Sequence, residues 1–520
     1  MQEAGMGART RVLVIGLDSF DPGLARSWMD QGALPHLSSL ADISVRGPVR
    51  NPYGMESSAN WSCFAYGSGP GVHGLYNGDR YFDWTSYKPA NHRPEDIAAR
   101  PFWSRLAAEG KRSIVVDAPV MSAPPGQDDI AVIDWCAHKP ADGGLVLQPR
   151  SWPPELIAEI ERDYGGDPLG GEMCDYHRPR SAADIARFRD TLIGRVRTKT
   201  ALTLDLIDRK PWDFFLVVFG EAHCAGHHFW QVHDPANDGG ARAIAAKLGD
   251  PLRDVYVALD EAVGAIRARA GEDVMLIAYL SHGMERGYTG GRLLDRILAR
   301  LDGMPEQRRA LPLELARRAW RLLPWKLRSR LRPIQGRAYS SIYNLGYRAG
   351  HASRSCFEVH VNQRTSGIRI NLRGREPAGI VEPGAEYDAL CARLALQLAE
   401  IVNDETGEKL VSEFARTDHH HAGPKSEGLP DLLVSWNRHA PIRSVSSPAI
   451  GRLKHPHPTS RTGDHSPDGM VLVSGPGIAA REIEAAVDVT EIAPSIAGLM
   501  GADTASFERR PNRALLPQGS

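Results

Sequence analysis

The chain predicts an α/β fold, a mainly parallel sheet covered by helices on both faces. Three observations lead there. Apolar runs that read as buried strands recur along the chain, among them RVLVIGLDS (11–19), FFLVVF (214–219) and VMLIAYL (274–280). Segments of helical character alternate with them, notably 182–209 and 253–270. Histidines and an aspartate stand just beyond the runs, where open α/β sheets collect ligands and metals.

The elements follow in order. The first strand, 11–19, ends at Asp18, and KRSIVVDAPV (111–120) and DIAVIDW (129–135) read as further strands. The helix over 182–209 stops before DFFLVVFGE, and the helix over 253–270 leads into DVMLIAYLSHG. A final strand, GMVLVSGPG (469–477), precedes a closing helix over 488–500, with Thr490 as its expected cap. Residues 10–505 are expected to form one α/β domain.

One segment breaks the alternation, and it suggests an insertion over 303–350. Within it, residues 312–337 hold eight Lys/Arg and a single acidic residue, Glu314. Ala316, Trp320, Leu323, Leu327 and Leu331 recur at helical spacing, interrupted by Pro324. It reads as a basic amphipathic helical cap that attracts an anionic substrate; the alternatives are a solvated helix packed on the core and a contact with a membrane surface.

With 520 residues, 42% hydrophobic, 24% charged and a net charge of −1, the composition is that of a soluble globular chain and shows no bias toward a nucleic-acid polymer. No stretch reads as a signal peptide, and no run approaches a membrane span. Six scattered cysteines without a CxxC pair read as reduced thiols. The expected compartment is the cytoplasm.

The chemistry lies in the histidines. His223 and His227 stand four apart in GEAHCAGHHFW, which on a helix puts both imidazoles on one face. His282 follows the run that ends at Leu280, and His465 lies downstream in RTGDHSPDG. From N to C, the polar residues at strand ends are Asp18, Ser57 in MESSANWSCFAYGSGPGVHG, His223 and His227, His282, and His465.

That order resembles the alkaline phosphatase superfamily, in particular its type I phosphodiesterase/nucleotide pyrophosphatase branch. VLVIGLDSFDPGLARSWMDQGALPHLSSLA is similar to the opening strand with its metal-binding aspartate. SSANWSCFAYGSGPGVHG resembles the nucleophile loop, HGM the D-H-G motif, and TGDHSPDGMVLVSGPGI the final G-x-H. GIRINLRGREPAGIVEPGAEYD, PDLLVSW and VTEIAPSIAGLMG are similar to further segments of the branch.

The resemblance implies an alkaline phosphatase-like fold and a metal-dependent hydrolase of small anionic phosphoesters acting through a covalent phosphoserine. Ser57, ten residues before Gly67, would be the nucleophile, with Ser58 the alternative. Asn77 would bind a phosphoryl oxygen, and His73 would serve the turn. Asp18, Ser57 and His282 would hold one metal, and His223, His227 and His465 the other.

Two departures matter. His223 stands where the family has a carboxylate, and Ser281 where it has an aspartate. The site becomes rich in imidazole, which favours zinc, with manganese the alternative. One tight site, on the three histidines, and one weaker site are expected. Asp464 and Glu221 are candidates to supply the missing carboxylate. The alternative functions are a phosphoryl or sulfuryl transferase on the same fold, and a pseudoenzyme that keeps the fold for binding.

Overall fold

The computed structural model describes residues 10–77, 80–83, 85–91, 100–119, 126, 128–137, 149–169, 181–235, 238–288, 290–291, 293–304, 351–455 and 461–517. The basic stretch 312–337, where the cap was expected, lies outside the described residues.

The strands that position the site are β1 (Arg11–Leu17), β2 (Val45–Arg50), β3 (Ser113–Val116), β4 (Ile130–Ile133), β5 (Arg150–Trp152), β6 (Phe214–Phe219), β7 (Val274–Leu280) and β8 (Gly283–Arg286). After them come β9 (Cys356–His360), β10 (Thr365–Ile370), β11 (Val411–Arg416), β12 (Leu432–Trp436), β13 (Gly463–Ser466), β14 (Asp468–Ser474) and β15 (Arg481–Glu482). The larger sheet runs in the order β15-β2-β14-β7-β1-β6-β3-β4-β5. Its centre is parallel: β1 pairs with both β6 and β7, and β3 with both β6 and β4. β14 runs antiparallel between β7 and β2.

Both faces of this sheet are covered. Along β1, Leu13, Ile15 and Leu17 enter one apolar core, and Val12 and Val14 enter the other. This is why the strand reads as an unbroken apolar run. The first core is closed by α2 (Ala182–Arg209), α3 (Glu221–His233) and α4 (Pro251–Ala270); the second by α1 (Asn60–Tyr66) and α5 (Val489–Leu499). A smaller sheet, β9-β10-β12-β11, has a separate core. GIRINLRG and PDLLVSW supply its β10 and β12.

The helix starts carry their own signals. Ser181 and Asp184 form a capping box at α2. At α5 the cap is Asp488, boxed with Glu491, and Thr490 lies inside the helix. This corrects the expected cap: Asp488-x-x-Glu491 satisfies two backbone N–H groups reciprocally, whereas Thr490 Oγ1 only donates to Asp488. No described helix is long and apolar enough to cross a membrane.

Candidate metal centre

The parallel pairing brings the polar residues together. Leu17 is level with Phe219 on one side and Leu280 on the other. The residues just beyond, Asp18, Glu221 with the start of α3, and Ser281–His282, therefore meet at the carboxyl edge of the sheet. Asp18 N–H bonds to Phe219 O and Ser281 N–H to Leu17 O, so the alignment continues past the strands. His465 arrives on β13, paired with Met284 of β8.

Four imidazoles form one cluster. Ring centroids are 4.7 Å apart for His223–His227 and His223–His465, 4.8 Å for His227–His465 and 4.6 Å for His282–His465. Nitrogen atoms of His223, His282 and His465 lie within 4.8 Å of one another, as do ligand atoms of His227, Asp464 and His465.

Hydrogen bonds assign the tautomers. His227 Nδ1 lies 2.9 Å from Gly463 O, a carbonyl that can only accept, so the proton is on Nδ1. The close approach of α3 to β13 that makes this bond depends on Gly463, where a Cβ would come within 2.2 Å of Gly226 O. His223 Nδ1 lies 2.8 Å from the Asp18 carboxylate and donates to it. Both Nε2 atoms then carry lone pairs in the neutral rings, and they face each other at 3.0 Å. Facing lone pairs repel unless a proton or a cation lies between them. Two nitrogen ligands of one tetrahedral zinc are about 3.3 Å apart, from Zn–N distances of about 2.0–2.1 Å. His465 Nε2 is buried and has no hydrogen-bond partner among the described residues. The donor set therefore fits a divalent metal.

Electrostatics agree. Burial opposes ionisation of Asp18, but the hydrogen bonds it accepts from the His223 ring and the Trp61 indole hold its carboxyl well below the usual range. Burial pushes His282 down to about 4 and His465 well below its ordinary value. Both rings are neutral at pH 7, the form that ligates.

The remaining candidates are placed as follows. Ser57 is half-buried in the turn before α1. That segment reaches the centre through Trp61, whose Nε1 donates to Asp18 at 2.8 Å, and through Asn60, which donates to Ser281 O at 3.0 Å. Asn77 donates to His360 O at 2.9 Å. His73 Nδ1 accepts from Leu75 N–H at 3.0 Å, a bond within the turn. Asp464 joins the cluster and lies 3.3 Å from Arg438 Nη2. Glu221 faces the other way, buried against Arg195 (3.4 Å) and Lys199 (3.7 Å), so it is not the replacement carboxylate.

Three residues escaped sequence reasoning. Ser19, buried with φ 54°, places its hydroxyl 3.0 Å from His223 Nδ1 and 3.3 Å from His282 Nδ1. Trp61 reaches Asp18 across β1, where a Cβ on Gly16 would meet the indole at 2.5 Å. Arg438 donates to His465 O at 3.1 Å. These contacts are long-range, and no periodicity announces them.

Residues 12–440 match the family model described as type I phosphodiesterase/nucleotide pyrophosphatase. No curated protein matches the chain. Among solved structures, phosphonoacetate hydrolase from Sinorhizobium meliloti in complex with phosphonoacetate is 11% identical at a TM-score of 0.52, covering 95% of this chain and 96% of that one. The same enzyme in complex with phosphonoformate is 12% identical at a TM-score of 0.50, with the same coverage. Murine ectonucleotide pyrophosphatase/phosphodiesterase 5 is 13% identical at 0.47, covering 96% and 97%. At these identities the likeness to solved structures concerns the fold, a mixed α/β architecture of the alkaline phosphatase type.

Proposed function

The chain belongs to the type I phosphodiesterase/nucleotide pyrophosphatase family of phosphoric ester hydrolases, and from that premise we propose a zinc-dependent hydrolase of small anionic phosphoesters that acts through a phosphoserine at Ser57. The observation that carries the metal dependence is the pair of Nε2 atoms of His223 and His227, 3.0 Å apart, each ring held in place through its other nitrogen. His223, His227 and His465 would hold the ion, with His282 beside them. An imidazole set favours zinc over magnesium or calcium. Bound there, a divalent cation supplies Lewis-acid stabilisation of the charge on the phosphoryl oxygens.

The chain's own groups do the rest. Ser57 Oγ attacks phosphorus in line and gives its proton to solvent water, and the P–O bond to the leaving group breaks as the departing oxygen takes a proton from solvent. Water then attacks the phosphoserine phosphorus and releases Ser57 Oγ with the phosphate product. Asn77 Nδ2 has two hydrogens; His360 O takes one, leaving the other for a phosphoryl oxygen. Burial keeps His282 and His465 neutral at pH 7, so each keeps a ring lone pair for a cation.

The test is a panel of phosphomonoesters, phosphodiesters, nucleotides and aryl sulfates, assayed with chelator and with zinc or manganese restored. Metal-restored turnover of phosphoesters supports the reading. Transfer to an added alcohol in preference to water would make the protein a transferase. Turnover of aryl sulfates alone would replace phosphoryl by sulfuryl chemistry. No turnover of any ester would leave a binding module.

A further inference from the structure

We propose that Asp18 acts as the carboxylate that orients His223 and is not itself a cation ligand, so that the centre holds a single cation on His223, His227 and His465. The assignment rests on the metal-dependent reading above and replaces the second cation expected on Asp18, Ser57 and His282.

The Asp18 carboxylate is buried, and its donors come from three parts of the chain. Oδ1 accepts from the Trp61 indole N–H at 2.8 Å and from the Ser281 hydroxyl at 3.0 Å. Oδ2 accepts from His223 Nδ1 at 2.8 Å. Ser281 Oγ is itself the acceptor of Ser19 N–H at 3.2 Å, which leaves its own proton for Asp18. The indole is held firmly: it lies over Gly16 and packs edge-on to Phe64 and Tyr279 with centroids 5.6 and 5.3 Å away.

A buried carboxylate needs compensation, from a cation or from donors. Here three protein donors supply it. A second cation there would find a hydroxyl in place of a carboxylate at position 281, so that of the expected set only Asp18 is anionic, with His282 Nε2 3.6 Å from its Oδ1. The contact with His223 has a clear consequence. Carboxylates that accept the second ring N–H of a ligating histidine fix its tautomer and raise its basicity. Asp18 does this for His223, turning Nε2 toward His227 Nε2 at 3.0 Å.

The experiment uses full-length protein with zinc and cobalt(II). Wild-type protein dialysed against zinc should contain one zinc per chain, and X-ray absorption should report imidazole ligands without a side-chain carboxylate. Asp18→Asn would set its amide nitrogen against His223 Nδ1 and move the ring proton to Nε2. Zinc should then bind about 10–100-fold more weakly at an unchanged stoichiometry. The cobalt(II) visible spectrum at saturation should keep its shape.

Two zinc ions in the wild-type protein, an Asp18 oxygen bound to the ion, or no binding would each overturn the assignment. So would an Asp18→Asn variant with undiminished affinity. If that variant fails to fold, the wild-type count and ligand set still decide. One zinc on imidazoles without turnover of any phosphoester would sink the hydrolase reading and leave Asp18 assigned. Two zincs with robust turnover would do the reverse.

Discussion

The Lys199 ammonium lies 3.7 Å from the Glu221 carboxylate, with both side chains fully buried. Glu221 opens α3, the helix that carries His223 and His227. Lys199 also approaches Asp117 at 3.1 Å and donates to Val218 O and Cys136 O. Burial alone would lower its pKa, but Glu221 and Asp117 raise it above the ordinary lysine value, so it stays charged. The ion cluster thus ties α2 and the ends of β3 and β6 to the first turn of the ligand helix.

Removing one partner of a buried ion pair strands the other. Lys199→Met should destabilise the fold by about 3–5 kcal/mol, read as a lower denaturant midpoint. Zinc affinity should fall with it, because Glu221 loses a counter-charge two residues before His223. A variant with wild-type stability and wild-type zinc affinity would show that the cluster positions nothing.

His223→Ala and His227→Ala should each abolish tight zinc binding, since each removes one of the two Nε2 donors that face each other at 3.0 Å. Elemental analysis after dialysis should find less than about one-tenth of the wild-type zinc, with circular dichroism unchanged; loss of one tetrahedral ligand from a structurally supported site justifies that scale. Zinc retained at the wild-type level in both variants would move the centre elsewhere.

Much of this was legible in the sequence, and the reasons are physical. β1, β6 and β7 bury both faces, so they read as unbroken apolar runs. The expected helix over 182–209 coincides with Ala182–Arg209 because a Ser-x-x-Asp cap opens it and Pro211 follows it. His223, His227 and His282 could be named because each stands just past a strand or on the helix that follows, and His465 because the final apolar run begins soon after it. What reached the centre from afar could not. Trp61 meets Asp18 only because Gly16 leaves room, and Ser19 turns its hydroxyl inward only because its backbone is left-handed. Asp464 and Glu221 looked equivalent in the sequence; packing sent one to the histidines and the other to Lys199 and Arg195.

Acid should weaken the metal-free fold. His282 has its pKa pushed down to about 4 by burial, against about 6.5 in the unfolded chain. Between those values the unfolded state binds the extra proton, so stability rises with pH there and is lost as pH falls. The effect is on the order of 3 kcal/mol from pH 7 to pH 4, at 1.36 kcal/mol per pKa unit. His465 acts in the same direction, whereas Asp18, with its lowered pKa, loses stability only below the usual carboxylate range. Melting temperatures of chelator-treated protein should fall steadily from pH 7 to pH 4.5, and His282→Gln should flatten that slope. An unchanged slope in the variant would exclude His282 as its source.

Ser57→Ala should remove the nucleophile while sparing the metal. Ser57 lies in the turn that enters α1, half-buried, and the same segment touches the centre through Trp61 and Asn60. Neither contact involves the Ser57 hydroxyl, so its loss should leave zinc content and melting temperature close to wild type. Turnover should fall by about 10³-fold or more, the scale for losing a covalent nucleophile. Ser58 bonds to Met55 O through its hydroxyl, a turn contact that gives it a local role, and Ser58→Ala should keep most of the activity. Mass spectrometry of acid-quenched reactions should find phosphate on Ser57 in the wild-type protein and none in Ser57→Ala. Phosphate on Ser58, with Ser58→Ala the dead variant, would shift the nucleophile by one residue. Full activity in both variants would rule out a covalent step at either serine and leave direct attack by water as the mechanism.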